Sequence, residues 1–322
     1  MGVLIQSSGN FQKLVGEYEH PILEYWVDKY ADAIKDSMIP VLCSQEQSDN
    51  ATEAIAEMAG SVDYKQWEGE FTYGDAKELN PRVWTPLIWQ AGRSFDRFTL
   101  SNAKLINMKT DFSKFAIGAA RTREACLGGL LSNADQEFYS VNGVNLNWTK
   151  VGNGLTLANS AHTSAKGETQ SNKLALELNE ENLEAACQAM FDFKDEDANS
   201  ANLSPDTLIV PTALRKRALE IVGSSGKSET SDNNVNVYDG NMRVLVYKQF
   251  RKQASKTAQP WIVCDSQMAK ESLKWINRLE SGDDYEIISW KNEEKQTWQI
   301  GSILWYSCGA YDWRPWVFSI PS

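Results

Sequence analysis

One stretch constrains this chain more than any other: TDFSKFAIGAARTREACLGGLL, from Thr110 to Leu131. Phe112, Phe115, Ala119, Cys126 and Leu130 recur at helical spacing, so they share one face of a long amphipathic helix. Thr110 offers an oxygen to the orphan N–H groups of a first turn, and Asp111 suits the positive end of the helix dipole. Asn133 stands where a left-handed stop residue belongs. A helix of this length spans about 30 Å, the width of a small domain, so the rest of the fold must be arranged along it. Gly118, Gly128 and Gly129 each cost roughly 1 kcal/mol against alanine in a helix. Either the helix frays at its end, or another backbone comes close there. Taken alone, the stretch reads as a core helix of an α+β domain.

The chain has 322 residues, enough for one large domain or two to three modest ones. At 42% hydrophobic residues it can bury a core, and no run approaches the ~20 apolar residues of a bilayer span. The N-terminus lacks the basic and apolar regions of a secretory signal. Five cysteines, Cys43, Cys126, Cys187, Cys264 and Cys308, lie far apart with no C-x-x-C pair. That pattern fits buried thiols in a reducing cytoplasm rather than a metal site. The net charge of −11 argues against a protein whose task is to grip phosphates. It does not exclude a wall that encloses nucleic acid already neutralised by counterions. Twelve tryptophans are many for this length. Most belong in a core, and the remainder suit protein–protein contact.

Along the chain, residues 1 to about 16 read as irregular. Pro21 suits the first turn of a helix carrying Leu23, Trp26, Val27, Tyr30 and Ile34 on one face. A second short helix is expected over Thr52–Met58. VDYKQWEGEFTYG then alternates as a strand pair with Tyr64, Trp67, Phe71 and Tyr73 as its large residues. Pro81 and Pro86 flank Trp84 and argue against a central strand. This aromatic excursion is too thin to own a core, and a long hairpin is marginal alone, so it needs a surface to lie on. After the long helix comes a loop-rich section containing His162 and the triplet Gly152-Asn153-Gly154, which lacks the rest of a phosphate-loop fingerprint. Asn179 caps a helix running to about Phe191. Asp195, Glu196 and Asp197 lack the spacing and glycine of a calcium loop. Thr207–Val210 reads as a buried strand stopped by Pro211, which begins a helix closed by Gly223. Met268–Leu279 reads as a further helix between late strands.

The order of these elements resembles the major capsid proteins of tailed double-stranded-DNA phages, the Hong Kong 97-like fold. RSFDRFTLSNAKLINMKTDFSKFAIGAARTREACLGGLLSNA resembles that family's hairpin-to-spine-helix segment. LANSAHTS with SNKLALELNEENLEAACQAM resembles the loop and first helix of its axial domain. NLSPDTLIVPTALRKRALEIVGS resembles its next strand–Pro–helix unit, and VNVYDGNMRVLVYKQF, PWIVCDSQ and YDWR its closing strands. The resemblance runs from about residue 60 to the end.

It implies an α+β chain divided into an N-terminal arm (1–60), an extended hairpin loop (61–104), a peripheral domain on the spine helix (105–177), an axial domain (178–299) and a closing peripheral strand (300–322). It implies a non-enzymatic, self-assembling shell of pentamers and hexamers around packaged double-stranded DNA held without sequence-specific binding. Assembly would occur in the host cytoplasm and the product would be the virion. No membrane, cofactor or metal is expected. Partners would be copies of the chain itself, a portal protein, and scaffolding or decoration proteins. Trp67, Phe71, Tyr73 and Trp84 of the hairpin, with Trp26 of the arm, are the expected subunit-interface residues. On the helix, Phe112, Phe115 and Leu130 should pack on the chain's own strands. Lys114, Arg121 and Glu124 should point away from them.

The main alternative is an encapsulin-like compartment of the same fold. An enzyme built on His162 with Asp312 or Cys308 lacks any nucleophile placed beside a base. A tryptophan-rich glycan-binding module would need its tryptophans on one exposed face, whereas here they fall within strand patterns.

Overall fold

The computed structural model describes residues 7–55, 58–59, 66–67, 69, 71, 73, 77–78, 81–102, 105–164, 166–223, 238, 240–279 and 283–321. Helix α1 (Ser7–Ile34) leads into a single turn, α2 (Ile39–Leu42). Short strands β1 (Ser44–Gln47), β2 (Glu53–Ile55), β3 (Met58–Ala59), β4 (Lys77–Glu78) and β5 (Arg82–Trp84) precede the ten-residue strand β6 (Leu87–Asp96). Helix α3 (Arg97–Asn102) and the long α4 (Leu105–Ser132) follow. A β7 (Tyr139–Val141)–β8 (Val144–Leu146) hairpin and strands β9 (His162–Thr163), β10 (Thr169–Gln170) and β11 (Lys173–Leu174) make the loop-rich section. Then come α5 (Glu180–Phe191), β12 (Thr207–Val210), a 3-10 turn at Thr212–Leu214, α6 (Arg215–Val222), β13 (Arg243–Val246) and β14 (Trp261–Cys264). The chain closes with α7 (Ser266–Ser272), β15 (Leu273–Asn277), β16 (Glu286–Asn292), β17 (Thr297–Ala310) and β18 (Trp316–Ser319).

Two five-stranded sheets carry the fold. In the first, β17 is the axis. It pairs antiparallel with β6 on one side and with β16 and then β15 along the other, and β1 adds parallel to β15. The second has the order β11-β18-β14-β12-β13, with β12 and β14 buried at every position. The expected boundary at 299/300 therefore falls inside β17. Strands β15 and β16 share β17 with the hairpin strand β6, whereas β18 joins the β12–β14 sheet.

Helix α4 touches two apolar clusters. Its first half places Met108, Phe112, Phe115 and Ala116 against α1 (Phe11, Val15, Ile22, Trp26, Tyr30) and the core side of β17 (Trp298, Ile300). Its second half places Cys126, Leu127, Leu130 and Leu131 in the main core with Tyr139, Leu304 and Tyr306. Lys114 and Arg121 are exposed, as the helical period requires. Glu124 is half-buried: its carboxylate accepts from Ser37 Oγ (2.5 Å), the Met38 amide (3.2 Å) and the Tyr247 hydroxyl (2.9 Å). Beside it, buried Arg123 donates to Tyr30 Oη (2.7 Å) and pairs with Asp284 (2.5 Å). Two consecutive residues thus tie α1, through Tyr30, and the turn after it, through Ser37 and Met38, to the spine.

Several local expectations are corrected. The helix begins at Leu105, so Thr110 is interior and not a cap. Asn133 is not left-handed; its amide and side chain both donate to the Gly129 carbonyl (3.0 and 2.9 Å). Pro21 sits inside α1, which already runs from Ser7. The buried stripe from Phe11 to Tyr30 holds the helix to α4 across the lost hydrogen bond. Residues 53–55 form a strand because they pair antiparallel with β5. Met268–Leu279 splits into α7 and β15: Leu273, Trp275 and Ile276 are buried mid-sheet between β1 and β17, and that pairing overrides the helical period. Asn179 does cap α5, accepting from the Asn182 amide at 2.7 Å.

The glycines of α4 divide. A Cβ on Gly128 would lie 2.6 Å from the backbone oxygen of Gln249, and one on Gly129 would lie 2.7 Å from the Tyr139 ring. Close approach, not fraying, explains these two. Gly118 has nothing within 4 Å.

Candidate assembly interface

The structure separates the five expected interface residues. Trp67, Phe71 and Tyr73 are 64, 75 and 87% exposed. The Trp67 and Phe71 rings meet edge-to-face with centroids 5.2 Å apart, so they form an aromatic knob in open solvent. Their neighbours Tyr64, Lys65 and Glu68 lie outside the described residues.

Trp84 and Trp26 are corrections. Trp84 is 1% exposed, and its indole packs against Gly309 of β17, where a Cβ would fall 1.9 Å from Nε1. It is the buried root of the hairpin. Trp26 is fully buried, stacked on Tyr30 (5.2 Å) and meeting Phe115 and Tyr285. The chain's own atoms cover both residues, which leaves no ring surface for a neighbour.

A residue set that the sequence pattern hid lies on the outer face of the first sheet. Along β17, Trp298, Ile300, Ser302 and Leu304 face the core, so Gln299, Gly301, Ile303 and Trp305 face outward. From β16 and β6, Ile288, Trp290 and Ile88 are exposed beside them. In EIISWKN both alternating sets contain isoleucine, so a period of two could not say which faced out.

The polar clusters do not form a reaction centre. His162 is fully buried, stacked on Trp313 at 4.2 Å, and its Nδ1 lies 3.2 Å from Asn153 Nδ2. Burial pulls its pKa down to about 4, so it is neutral at pH 7. Asp312 pairs instead with Arg314 (3.0 Å), which also holds Glu196. Burial pushes the Cys308 thiol well up, with Cys43 hydrogen-bonded beside it. Asp195 accepts from the amides of Asp197 (2.9 Å) and Asn199 (2.8 Å). Among the described residues no group of three His, Cys, Asp or Glu side chains is placed to hold a metal, and no helix is long and apolar enough to cross a membrane.

Comparison with known proteins places this geometry. A family model described as phage capsid protein matches residues 84–317. No curated protein matches the chain by sequence. Among solved structures, the capsid of Ralstonia phage GP4 superposes with a TM-score of 0.58 at 10% identity, covering 87% of each chain. The capsid of bacteriophage JBD30, decorated with minor capsid protein trimers, gives 0.54 at 14% identity over 69% of this chain and 93% of that one. A structure from Microbacterium phage Oxtober96 gives 0.52 at 10% identity over 89% and 90%. At such identities these structures establish the fold, and the family model, which spans well over half the chain, establishes the kinship. The chain belongs to the phage capsid protein family: it is a major capsid protein of Hong Kong 97-like fold, a structural component of the virion.

Proposed function

We propose that many copies of this chain close into an icosahedral shell of pentamers and hexamers around packaged double-stranded DNA. One observation carries the reading: Trp67, Phe71 and Tyr73 project into solvent with no core of their own chain to enter. Exposed aromatic clusters of this kind mark association surfaces. Obligate contacts typically bury over ~2,000 Å², and several per subunit reinforce one another. Residues 178–264, with α5, α6 and the β12–β14 strands, act as the axial part. The spine helix with β6, β16 and β17 acts as the peripheral part, and α1 as the arm. A portal protein and scaffolding or decoration proteins complete the assembly. With a net charge of −11, the wall encloses DNA without gripping it in a sequence-specific way.

The test is negative-stain microscopy and nuclease digestion of particles from the native source. Closed shells holding nuclease-protected DNA are expected. A population limited to a few subunits under every condition overturns the shell reading. Shells holding protein cargo and no DNA assign an encapsulin-like compartment instead.

A further inference from the structure

The chain is acidic overall, yet its cations are unevenly placed. From Asn241 to Cys264 it carries Arg243, Lys248, Arg251, Lys252 and Lys256 and no Asp or Glu. The fold lays part of this segment along α4, on the side away from the helix's core face. The Tyr247 hydroxyl donates to the Glu124 carbonyl (2.8 Å), the Gln249 backbone sits over Gly128, and the Arg251 amide donates to Ser132 Oγ (2.9 Å). Glu124, Gly128 and Ser132 are spaced by four, so the segment follows the helix turn by turn. Arg121 and Lys114 precede Gly128 at heptad spacing, and a heptad is almost two full turns, so both fall on the same stripe. Both are exposed, as are Lys248, Arg251 and Lys252. Cations from two distant parts of the sequence therefore share one side of the molecule, along about 27 Å of helix from Lys114 to Ser132.

Their charge is not cancelled within the chain. Among the described residues, none of Lys114, Arg121, Lys248, Arg251 and Lys252 pairs with a carboxylate; Arg251 donates to Gln249 Oε1 (3.1 Å) and Lys252 to the Thr257 carbonyl (3.4 Å). The acids along the stripe are already engaged. Asp111 pairs with Arg93 (2.8 Å), Glu124 accepts from Ser37, Met38 and Tyr247, and Asp135 holds Lys173 (2.9 Å) and Gln253 (2.6 Å). A row of unneutralised cations is complementary to a row of anions, and duplex DNA offers one negative charge per about 1.7 Å of its axis. Resting on the shell reading, we infer that this stripe lines the inner wall and contacts the phosphate backbone of the packaged DNA. Phosphate contacts carry no sequence information, so the stripe holds any duplex equally well.

Two measurements on the full chain test it. In the first, DNA-filled particles of the unmodified chain are treated with formaldehyde, digested with nuclease and protease, and mapped by mass spectrometry. Nucleotide adducts on Lys114, Lys248 and Lys252 should be at least about tenfold more abundant than on Lys216 of α6, which is exposed but lies off the stripe and pairs with Glu220. Filled shells with adducts no more abundant on the stripe than on Lys216 overturn the inference and leave the shell reading intact. Failure of the unmodified chain to form any closed shell sinks the shell reading itself. In the second, Arg121→Gln, Arg251→Gln and Lys252→Gln are combined; all three side chains are exposed, so the fold should hold. Binding of a duplex fragment by unassembled subunits is measured against salt concentration. The log–log slope should become shallower by about three, one for each phosphate contact removed. An unchanged slope overturns the inference. An unchanged slope with loss of assembly only where an acidic scaffolding protein is required assigns the stripe to that protein instead.

Discussion

The root and the tip of the hairpin both carry tryptophan, and the fold buries one and leaves the other exposed. Trp84 at the root is sealed against Gly309 in the main core, while Trp67 and Phe71 at the tip stay in water. The difference lies in what the chain can bring to meet each ring. At the root, β5 runs beside β17, and the missing side chain of Gly309 leaves room for the indole. At the tip, the Trp67 and Phe71 rings have each other but no core to enter. One tryptophan is therefore held inside the chain's own core, while the other is left open to solvent.

The sharpest way to break this contrast is at the root. Gly309→Val places a branched side chain where the Trp84 indole lies, and Trp84→Ala leaves that space empty. Each should cost on the order of 3–5 kcal/mol of stability, read as a large fall in the thermal midpoint of the unassembled chain. An unshifted midpoint would show that the root is not buried as described.

Acid should act next most strongly. His162 titrates near 4 in the folded chain against about 6.5 when free, because burial disfavours the imidazolium. The unfolded chain therefore binds more protons between those values. Stability is full above about pH 6.5 and falls by roughly 3 kcal/mol as pH drops toward 4. His162→Asn should flatten this segment of a thermal midpoint-versus-pH curve.

The same contrast between covered and open sites runs along α4. Gly128→Ala meets the Gln249 backbone and should destabilise by about 1–3 kcal/mol. Gly118→Ala meets nothing and should stabilise by about 0.5–1 kcal/mol through helix propensity. Chemical denaturation of both variants reads the sign directly. The smallest effect belongs to the tip: Phe71→Ala should change the unassembled chain by less than about 0.5 kcal/mol, since its ring makes little contact to lose. A larger loss would mean that the tip is part of the monomer's fold.

Much of this was legible in the residues. The period of Phe112, Phe115, Cys126 and Leu130, the Asn179 cap and the apolar run Thr207–Val210 each specify their element through contacts within a few positions. Where pairing partners are distant, local pattern misled. Thr52–Met58 and Leu273–Leu279 have helical spacing, yet β5, β1 and β17 claim parts of them as strands. Pro21 promised a helix start, yet side chains on both sides of it pack on one face of α4.

What the sequence by itself determined, then, was the long amphipathic helix, the order of elements around it, and the presence of an aromatic excursion without a core. Those follow from periodicity and chain connectivity. Only the tertiary structure decided which aromatic residues are spent inside the chain. It also decided that Gly128 and Gly309 are needed for close approach, and that Lys114 and Arg121 line up with Lys248, Arg251 and Lys252 along α4. These are facts about residues far apart in the chain that meet only once the sheets form, and no local pattern encodes them.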